Sequence, residues 1–268
     1  MSHNIALLGL GDDSHSSFLR GAAKAPAIVR ESLFSPASNS FSELGINVLA
    51  EHLLTDLGDL SFSGTTDPII QIEDKITDVV NQGYKPISIG GDHAVSYPIV
   101  KALNKTHASF NILHFDAHPD LYDEFEGDRY SHACPFARIM ELGCVNRLVQ
   151  VGIRTLNDQQ REQIERFGVE CYDMLSLDQQ PLSLKLSGPL YISIDMDCLD
   201  PAFAPGVSHR EPGGMSSREV IAILHQLAKQ DIELIGADVV EYNPDRDIDG
   251  VTSVVAAKLV KELIALAV

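Results

Sequence analysis

The stretch NILHFDAHPD, residues 111–120, joins a short apolar run to a cluster of acidic and histidine side chains. The run Asn111–Phe115 has the length and apolar character of a buried β-strand. In an extended chain, side chains two residues apart project to the same side, so Asp116, His118 and Asp120 can face one pocket. The stretch therefore predicts a buried strand whose end carries candidate metal ligands.

Similar apolar runs recur along the chain and alternate with longer stretches of helical spacing. The strand-like runs are Ile5–Leu10, Ile46–Leu49, Pro86–Ile89, Asn111–Phe115, Leu148–Val151, Leu190–Ile194 and Glu233–Val240. The helix-like stretches are Pro68–Asn81, Tyr97–Asn104, Asp158–Phe167, Ser217–Lys229 and Thr252–Ala267. This alternation predicts an α/β protein, with parallel βαβ units and helices on both faces of the sheet. No repeat or linker divides the chain, so we expect one domain over residues 1–268.

The composition of the chain argues against some classes of binding partner and bears on its cellular location. The chain has 38 acidic and 20 basic residues among 268, and its net charge of −18 argues against nucleic acid and anionic membrane surfaces. Its four cysteines show no CxxC spacing, which predicts reduced thiols. No basic leader precedes Ile5, and no apolar run reaches the ~18 residues that span a bilayer. We expect a soluble, cytoplasmic protein.

Candidate ligands also follow three other predicted strands. His93 comes after Pro86–Ile89 through a Gly-Gly-Asp turn, Asp195 and Asp197 follow Leu190–Ile194, and Glu241 follows Glu233–Val240. The carboxyl ends of parallel strands lie at one edge of the sheet, where ligand sites form. Residues that are far apart in the sequence can therefore converge there.

Six of these side chains have the chemistry of a paired metal site: His93, Asp116, His118, Asp120, Asp195 and Asp197. Four carboxylates in one crevice repel each other unless cations neutralise them, and two divalent ions supply the matching charge. Oxygen ligands with some imidazole and no thiolate favour Mn²⁺ over structural Zn²⁺, and leave Fe²⁺, Co²⁺, Ni²⁺ and catalytic Zn²⁺ open. Two ions about 3.5–4 Å apart could lower the pKa of a shared water toward neutrality, which predicts a hydrolase.

The motifs around these residues resemble the arginase/agmatinase ureohydrolase family. They read GGDH at 90–93, DAHPD at 116–120 and SIDMDCLDP at 193–201, in family order, and the similarity continues through EPGG at 211–214 and VVEYNP at 239–244. The segments SSFLRG at 16–21 and YSHA at 130–133 are most similar to the plant-type arginase branch. The resemblance implies a three-layer α/β/α fold around a mostly parallel sheet of about eight strands. It also implies two Mn²⁺ ions, a trimer or hexamer of identical chains, and hydrolysis of a small cationic guanidino compound to urea plus an amine.

The same resemblance implies a role for each site residue. His93, Asp116, Asp120 and Asp197 would be the core metal ligands, joined by His118 and Asp195. Asp120 would also hold the attacking group by a hydrogen bond and relay its proton.

Three further residues would act on the substrate by resemblance. Glu241 would grip the guanidinium, His132 would shuttle a proton to the leaving amine, and Ser193 would orient Glu241 or the solvent.

Substrate choice depends on the loop between Asp120 and His132. Tyr122 stands where animal-type arginases carry an asparagine that binds the α-carboxylate of arginine, and agmatinases also show a tyrosine there. The plant-type loop Asp123–Gly127 favours arginine by resemblance, whereas its acidic residues would suit the second positive charge of agmatine. We expect Tyr122 to contact the substrate, and arginine to be that substrate. Agmatine and guanidino acids such as 4-guanidinobutyrate are the alternatives.

Three other classes of function stay open at this point. Gly9-Leu10-Gly11 after the first strand is reminiscent of a dinucleotide-binding turn, but Ser14 stands where the third glycine is required. A zinc deacetylase on a related sheet would hold one zinc ion and act on acyl-lysine. A metal-binding regulatory protein without turnover is disfavoured by His132 and Glu241.

Overall fold

In a computed structural model, the described residues, 5–180 and 182–268, form eight β-strands and eight α-helices. The strands are β1 (Ile5–Leu10), β2 (Leu54–Asp59), β3 (Lys85–Gly90), β4 (Phe110–Phe115), β5 (Val145–Ile153), β6 (Glu170–Asp173), β7 (Gly188–Asp195) and β8 (Ile232–Val240). The helices are α1 (Ala25–Phe34), α2 (Pro68–Asn81), α3 (Ser96–Leu103), α4 (Pro135–Glu141), α5 (Asp158–Phe167), α6 (Met174–Gln179), α7 (Ser217–Leu227) and α8 (Val251–Ala267). Residues 1–4, on which the expected lack of a leader rested, lie outside the described part.

All eight strands join one parallel sheet, in the order β2-β1-β3-β8-β7-β4-β5-β6. This confirms the predicted α/β fold class and the expected number of strands. The four strands β3, β8, β7 and β4 are neighbours in the middle of the sheet. Their carboxyl ends therefore form one continuous stretch of the sheet edge, at which residues from four distant parts of the sequence meet. That residues 1–268 form one domain stays a prediction.

Two hydrophobic cores lie on opposite faces of the sheet, which gives the three layers. Alternate residues of β4 enter different cores: Ile112 packs on one face and Leu113 on the other. Helices α1, α7 and α8 cover one core, and α2, α3 and α4 cover the other. Burial on both faces explains why the central strands read as continuous apolar runs rather than as alternating ones. The helices hold the strand ends, and hence the site, on a rigid frame.

Most predicted strands lie within the observed ones, with three differences. Ile46–Leu49 is not a strand: Val48 is buried in the core that α1, α7 and α8 cover, but the segment is part of a turn that pairs with residues 40–42. The strands β2 and β6 were not predicted because their sequences are largely polar, and both lie at the edges of the sheet. Within the described residues, no helix is long and apolar enough to cross a membrane.

Capping side chains mark the start of two of the predicted helices. Asp67 accepts a hydrogen bond from Ile69 N at the start of α2, and Ser216 forms a capping box with Glu219 at the start of α7. The helices α1, α4 and α6 were not predicted. Each is only 6–10 residues long, which leaves few turns to show a periodic pattern.

Candidate metal and catalytic site

The carboxyl ends of the central strands bring the six predicted metal ligands together. Asp116 follows β4 directly, Asp195 ends β7, and His93 follows β3 after two residues. The side chain of His118 is 27% exposed, whereas the other five are buried. The structure therefore gathers all six around one edge of the sheet. Their role as metal ligands stays a prediction.

The ring of His93 faces three carboxylates. Its Nδ1 atom lies 3.2 Å from Asp116 Oδ2 and 3.1 Å from one oxygen of both Asp120 and Asp195. Although this nitrogen is buried, none of the three oxygens is placed for a hydrogen bond with it. Two ligand atoms held at right angles, about 2.1 Å from one ion, would lie about 3 Å apart, so the spacing fits a cation between them.

A second group forms around His118. Its Nδ1 atom lies 3.3 Å from Asp116 Oδ1 and 3.1 Å from Asp197 Oδ2. Asp116 thus turns one oxygen toward His93 and the other toward His118. A carboxylate that bridges two groups of ligands in this way is suited to a pair of neighbouring ions.

Charge repulsion supplies a second reason to expect cations here. Burial and the negative charges of Asp197 and Asp116 raise the pKa of Asp195 well above its usual value. Burial likewise raises the pKa of Asp197. Divalent ions would relieve the cost of burying these carboxylates together. The residues present therefore fit a metal centre, in agreement with the ligand types expected from the sequence.

Two site residues have left-handed backbone conformations, which non-glycine residues seldom adopt. Asp120 has φ 51° and Glu241 has φ 63°. Such conformations cost about 1–3 kcal/mol each and persist where the surroundings enforce them. At Glu241 the backbone N–H donates to Gly91 O at 2.8 Å, which fixes the turn after β8 against the end of β3.

Glu241 and His132 form a buried hydrogen-bonded pair. Glu241 Oε1 lies 2.8 Å from His132 Nδ1 and accepts from the His93 backbone N–H at 2.9 Å. Oε2 accepts no hydrogen bond from the described residues. Although burial lowers the pKa of His132, the negative charge of Glu241 raises it to about 9. Although burial raises the pKa of Glu241, the charge of His132 and its hydrogen bond leave it below the usual value. The pair is therefore an imidazolium and a carboxylate at neutral pH.

A cavity of about 210 Å³ opens over these residues. Its lining includes the predicted site residues His118, Asp120, Tyr122, His132, Asp195, Asp197 and Glu241, together with Ser17, Phe125, Thr155, Gln160 and His209. A volume of this size suits a small molecule. The cavity places metal-type ligands, an anionic side chain and a cationic side chain around one space.

Ser193 lies elsewhere than expected. Its hydroxyl is 2.9 Å from His93 Nε2 and donates to Asp238 Oδ1 at 2.6 Å. It contacts neither Glu241 nor the cavity, because it lies on β7 two residues before the strand end, behind the His93 ring. We therefore correct its predicted role: Ser193 orients His93 rather than the substrate.

Two histidines at the site were missed from the sequence. His114 Nε2 lies 2.8 Å from Asp116 Oδ2, and its Nδ1 lies 3.0 Å from the amide nitrogen of Gln150. The amide can only donate, so Nδ1 accepts, and Nε2–H donates to Asp116. Burial lowers the pKa of His114, in agreement with this neutral form. His114 could have been identified from the sequence, because it lies two residues before Asp116 and so projects to the same side of the extended chain as Asp116, His118 and Asp120.

His209 is the second missed histidine. Its ring centroid lies 5.9 Å from that of His118 and 5.4 Å from that of His132, across the cavity. Within the described residues it has no hydrogen-bond partner. Its only signal in the sequence was its position in the long loop between Pro201 and Gly214, beside a strand end.

Known proteins are similar to this chain in sequence and in fold. Residues 3–265 match the profile described as "Arginase family". The chain is 49% identical over 277 residues to "Arginase 1, mitochondrial" of Arabidopsis thaliana, covering 97% of this chain and 80% of that protein. It is 30% identical to "Agmatinase" of Bacillus subtilis (strain 168), covering 96% and 90%. The solved structure "Arginase from Medicago truncatula" superimposes with a TM-score of 0.92 at 42% identity, covering 99% of this chain and 88% of that one.

One prediction is wrong in the light of these comparisons. The sequence led us to expect a cytoplasmic protein, but the Arabidopsis relative is named as a mitochondrial arginase. The four cysteines are free, as predicted. Free thiols do not separate the cytosol from the interior of an organelle, so they could not support the expected location.

Proposed function

This chain belongs to the arginase family, and on that premise we propose that it hydrolyses L-arginine to L-ornithine and urea with two Mn²⁺ ions. The observation that carries the proposal is the shared cavity. Four of the six predicted metal ligands line it, and so does Glu241, whose Oε2 accepts no hydrogen bond from the described residues. A planar guanidinium cation is suited to such a carboxylate, and its carbon would then lie near the predicted metal ligands.

The two ligand groups divide the metal-holding residues. His93, Asp120 and Asp195 would hold one ion, His118 and Asp197 the other, and Asp116 would contribute an oxygen to each. When bound, the ions lower the pKa of water toward neutrality, so that a nucleophile is available at physiological pH. The absence of thiolate from both groups supports Mn²⁺ over structural Zn²⁺.

Glu241 and His132 divide the work on the substrate. The guanidinium competes with His132 for the carboxylate of Glu241. When the substrate takes this carboxylate, Nδ1–H of His132 is released and can donate a proton to the leaving nitrogen. Asp120 lines the cavity beside the ligands, where it can hold the attacking water by a hydrogen bond and pass on its proton.

The surroundings of the cavity favour arginine over agmatine. The acidic residues that could attract a second positive charge point elsewhere: Asp123 pairs with Arg138 at 2.9 Å and Arg129 at 2.8 Å, and none of the acidic residues of the loop 123–127 lines this cavity. Tyr122 does line it, and its hydroxyl accepts from Asn157 Nδ2 at 2.6 Å. The phenol proton is thereby free to donate to the α-carboxylate that arginine has and agmatine lacks.

Urea release from a set of guanidino compounds tests the proposal. The Mn²⁺-loaded protein is expected to release urea from arginine with a higher kcat/KM than from agmatine, 4-guanidinobutyrate, guanidinopropionate or guanidine. If none of the five is consumed, the protein is not a ureohydrolase. The Tyr122→Phe variant is expected to raise KM for arginine and to leave agmatine hydrolysis unchanged, because only arginine loses a hydrogen bond. Equal effects on both substrates would show that Tyr122 does not discriminate between arginine and agmatine.

We also propose that the protein is a homo-oligomer, a trimer or hexamer, as the family resemblance implies. Apolar side chains that lie exposed at the start of α8 support association: Val251 is 46% and Val254 is 63% exposed. Sedimentation of the purified protein tests this directly. A mass of one chain at micromolar concentration would contradict it.

A further inference from the structure

The loop after β1, residues 11–21, lies over the rim of the cavity and is closely tied to it. Ser16 Oγ donates to the buried carboxylate of Asp92 at 3.1 Å. A Cβ atom on Gly91 would overlap the carbonyl oxygen of Asp12, so the loop packs directly on the end of β3. The backbone N–H of His132 donates to His15 O at 3.2 Å. These contacts of His15 and Ser16 hold Ser17, which follows them in the chain, at a defined position beside His132.

Ser17 stands between two cavities. It lines the candidate active site and also a smaller outer cavity of about 140 Å³, whose lining includes His15, Glu126 and Asp128. Ser17 is exposed, whereas His132 is buried. Ser17 therefore borders both the candidate active site and the outer cavity.

His132 is hydrogen-bonded at both ring nitrogens, to one partner on each side. Nδ1 lies 2.8 Å from Glu241 Oε1, and Nε2 lies 2.8 Å from Ser17 Oγ. A carboxylate only accepts, so Nδ1 carries a proton, and in the neutral ring Nε2 accepts the proton of the Ser17 hydroxyl. Among the described residues, Ser17 is the only exposed group that is hydrogen-bonded to this ring. The ring thus has an inner nitrogen that faces Glu241 and an outer nitrogen that faces Ser17.

We propose that Ser17 passes protons between His132 and the solvent of the outer cavity, and so acts as a positioning residue for proton transfer. This inference rests on the proposed function. When the substrate guanidinium takes the carboxylate of Glu241, the negative charge that keeps His132 protonated is neutralised, and the Nε2 proton leaves through Ser17 to a solvent base. When the leaving nitrogen then takes the Nδ1 proton, the Ser17 hydroxyl gives its proton to Nε2, and a solvent acid restores the hydroxyl. The next attacking water loses a proton to Nδ1, which makes the ring an imidazolium again. One proton enters and one leaves in each turnover, so the chain of groups returns to its starting state.

Replacement of the hydroxyl tests the relay in the Mn²⁺-loaded full chain. In dilute buffer, Ser17→Ala is expected to lower kcat by roughly tenfold or more, because proton transfer steps contribute factors of about 10²–10⁴. KM should stay within about twofold, since substrate contacts are unchanged. Added imidazole should restore kcat of Ser17→Ala in proportion to its concentration and leave the wild type unaffected. Ser17→Thr keeps the hydroxyl and should keep kcat.

A matched control comes from the same loop. Ser14 is exposed and donates only to Asp12 Oδ2, so Ser14→Ala is expected to have wild-type kcat. A second readout needs no turnover: ¹⁵N spectra of the metal-free protein should show Nε2 of His132 hydrogen-bonded in the wild type and in Ser17→Thr, and released in Ser17→Ala.

Three results would overturn the relay: wild-type kcat for Ser17→Ala in dilute buffer, a loss of kcat that imidazole does not restore, or equal losses for Ser17→Ala and Ser17→Thr. The proposed function fails separately, if the wild type releases no urea from arginine. The relay is then tested by comparing kcat of Ser17→Ala with kcat of the wild type, on whichever guanidino compound the protein hydrolyses.

Discussion

Glu241→Gln separates substrate binding from metal binding at this site. Glutamine has nearly the same shape as glutamate, and its amide oxygen can replace Oε1 as acceptor from the His93 backbone N–H and from His132 Nδ1. The amide nitrogen then occupies the place of Oε2. Because that nitrogen donates and the guanidinium also only donates, the substitution replaces an attraction by a repulsion.

The size of the effect follows from these contacts. A hydrogen bond to a charged group contributes about 1.5–3 kcal/mol, and the variant loses that bond together with the charge of a buried carboxylate. A loss of about 3 kcal/mol corresponds to roughly a hundredfold lower kcat/KM. Most of it should appear in KM, because the guanidinium is bound before the reaction as well as in the transition state. Metal content should not change, since the only hydrogen bond between Glu241 and a predicted metal ligand is to the backbone N–H of His93.

The assay is urea release over a range of arginine concentrations at saturating Mn²⁺, with metal content by elemental analysis. Glu233→Gln is the control, because Glu233 lies exposed near the start of the same strand, β8. It should behave as wild type. A Glu241→Gln variant with wild-type kcat/KM would refute the proposed role. A variant that loses its metal in step with its activity would show that Glu241 supports the metal centre rather than the substrate.

Three further predictions concern the metal centre and the buried histidines. Asp197→Asn is expected to lower the metal content from about two ions per chain toward about one, because His118 keeps only Asp116 as a nearby carboxylate. His114→Leu removes the donor to Asp116 and should weaken metal affinity about 10- to 100-fold, as measured by titration with Mn²⁺. The raised pKa of His132 should stabilise the metal-free protein fully below pH 6.5, and this contribution, about 3 kcal/mol at most, should be lost as the pH rises through about 9.

Each of these predictions has a result that would contradict it. If Asp197→Asn still holds two ions per chain, Asp197 is not needed to bind the second ion. Unchanged Mn²⁺ affinity in His114→Leu would show that this histidine acts only in packing. Its ring stacks on that of Phe136, with 3.8 Å between the ring centroids. For the third, the free energy of unfolding in urea is compared between wild type and His132→Asn from pH 6 to 10. A difference between the two proteins that stays constant over this range would show that the pKa of His132 is not raised.

The chemistry of the site could be read from the sequence because it depends on local patterns. Apolar runs of strand length located the central strands, and the residues directly after them supplied the ligand types. Alternation by two placed Asp116, His118 and Asp120 on one side, and the motifs carried the family resemblance. All of this information lies within segments of about ten residues.

What only the tertiary structure decided is which of these segments are neighbours. His93 meets Ser193, 100 residues away, and His132 meets both Glu241 and Ser17, which are 109 and 115 residues away. Such contacts depend on the strand order β3-β8-β7-β4 and on how the loop 11–21 packs on the strand ends. Strand order is chosen by the packing of helices on both faces of the sheet, and local periodicity does not record it. Side-chain spacing therefore predicted toward which side of its strand each candidate ligand projects. The residues that it contacts are known only from the assembled sheet.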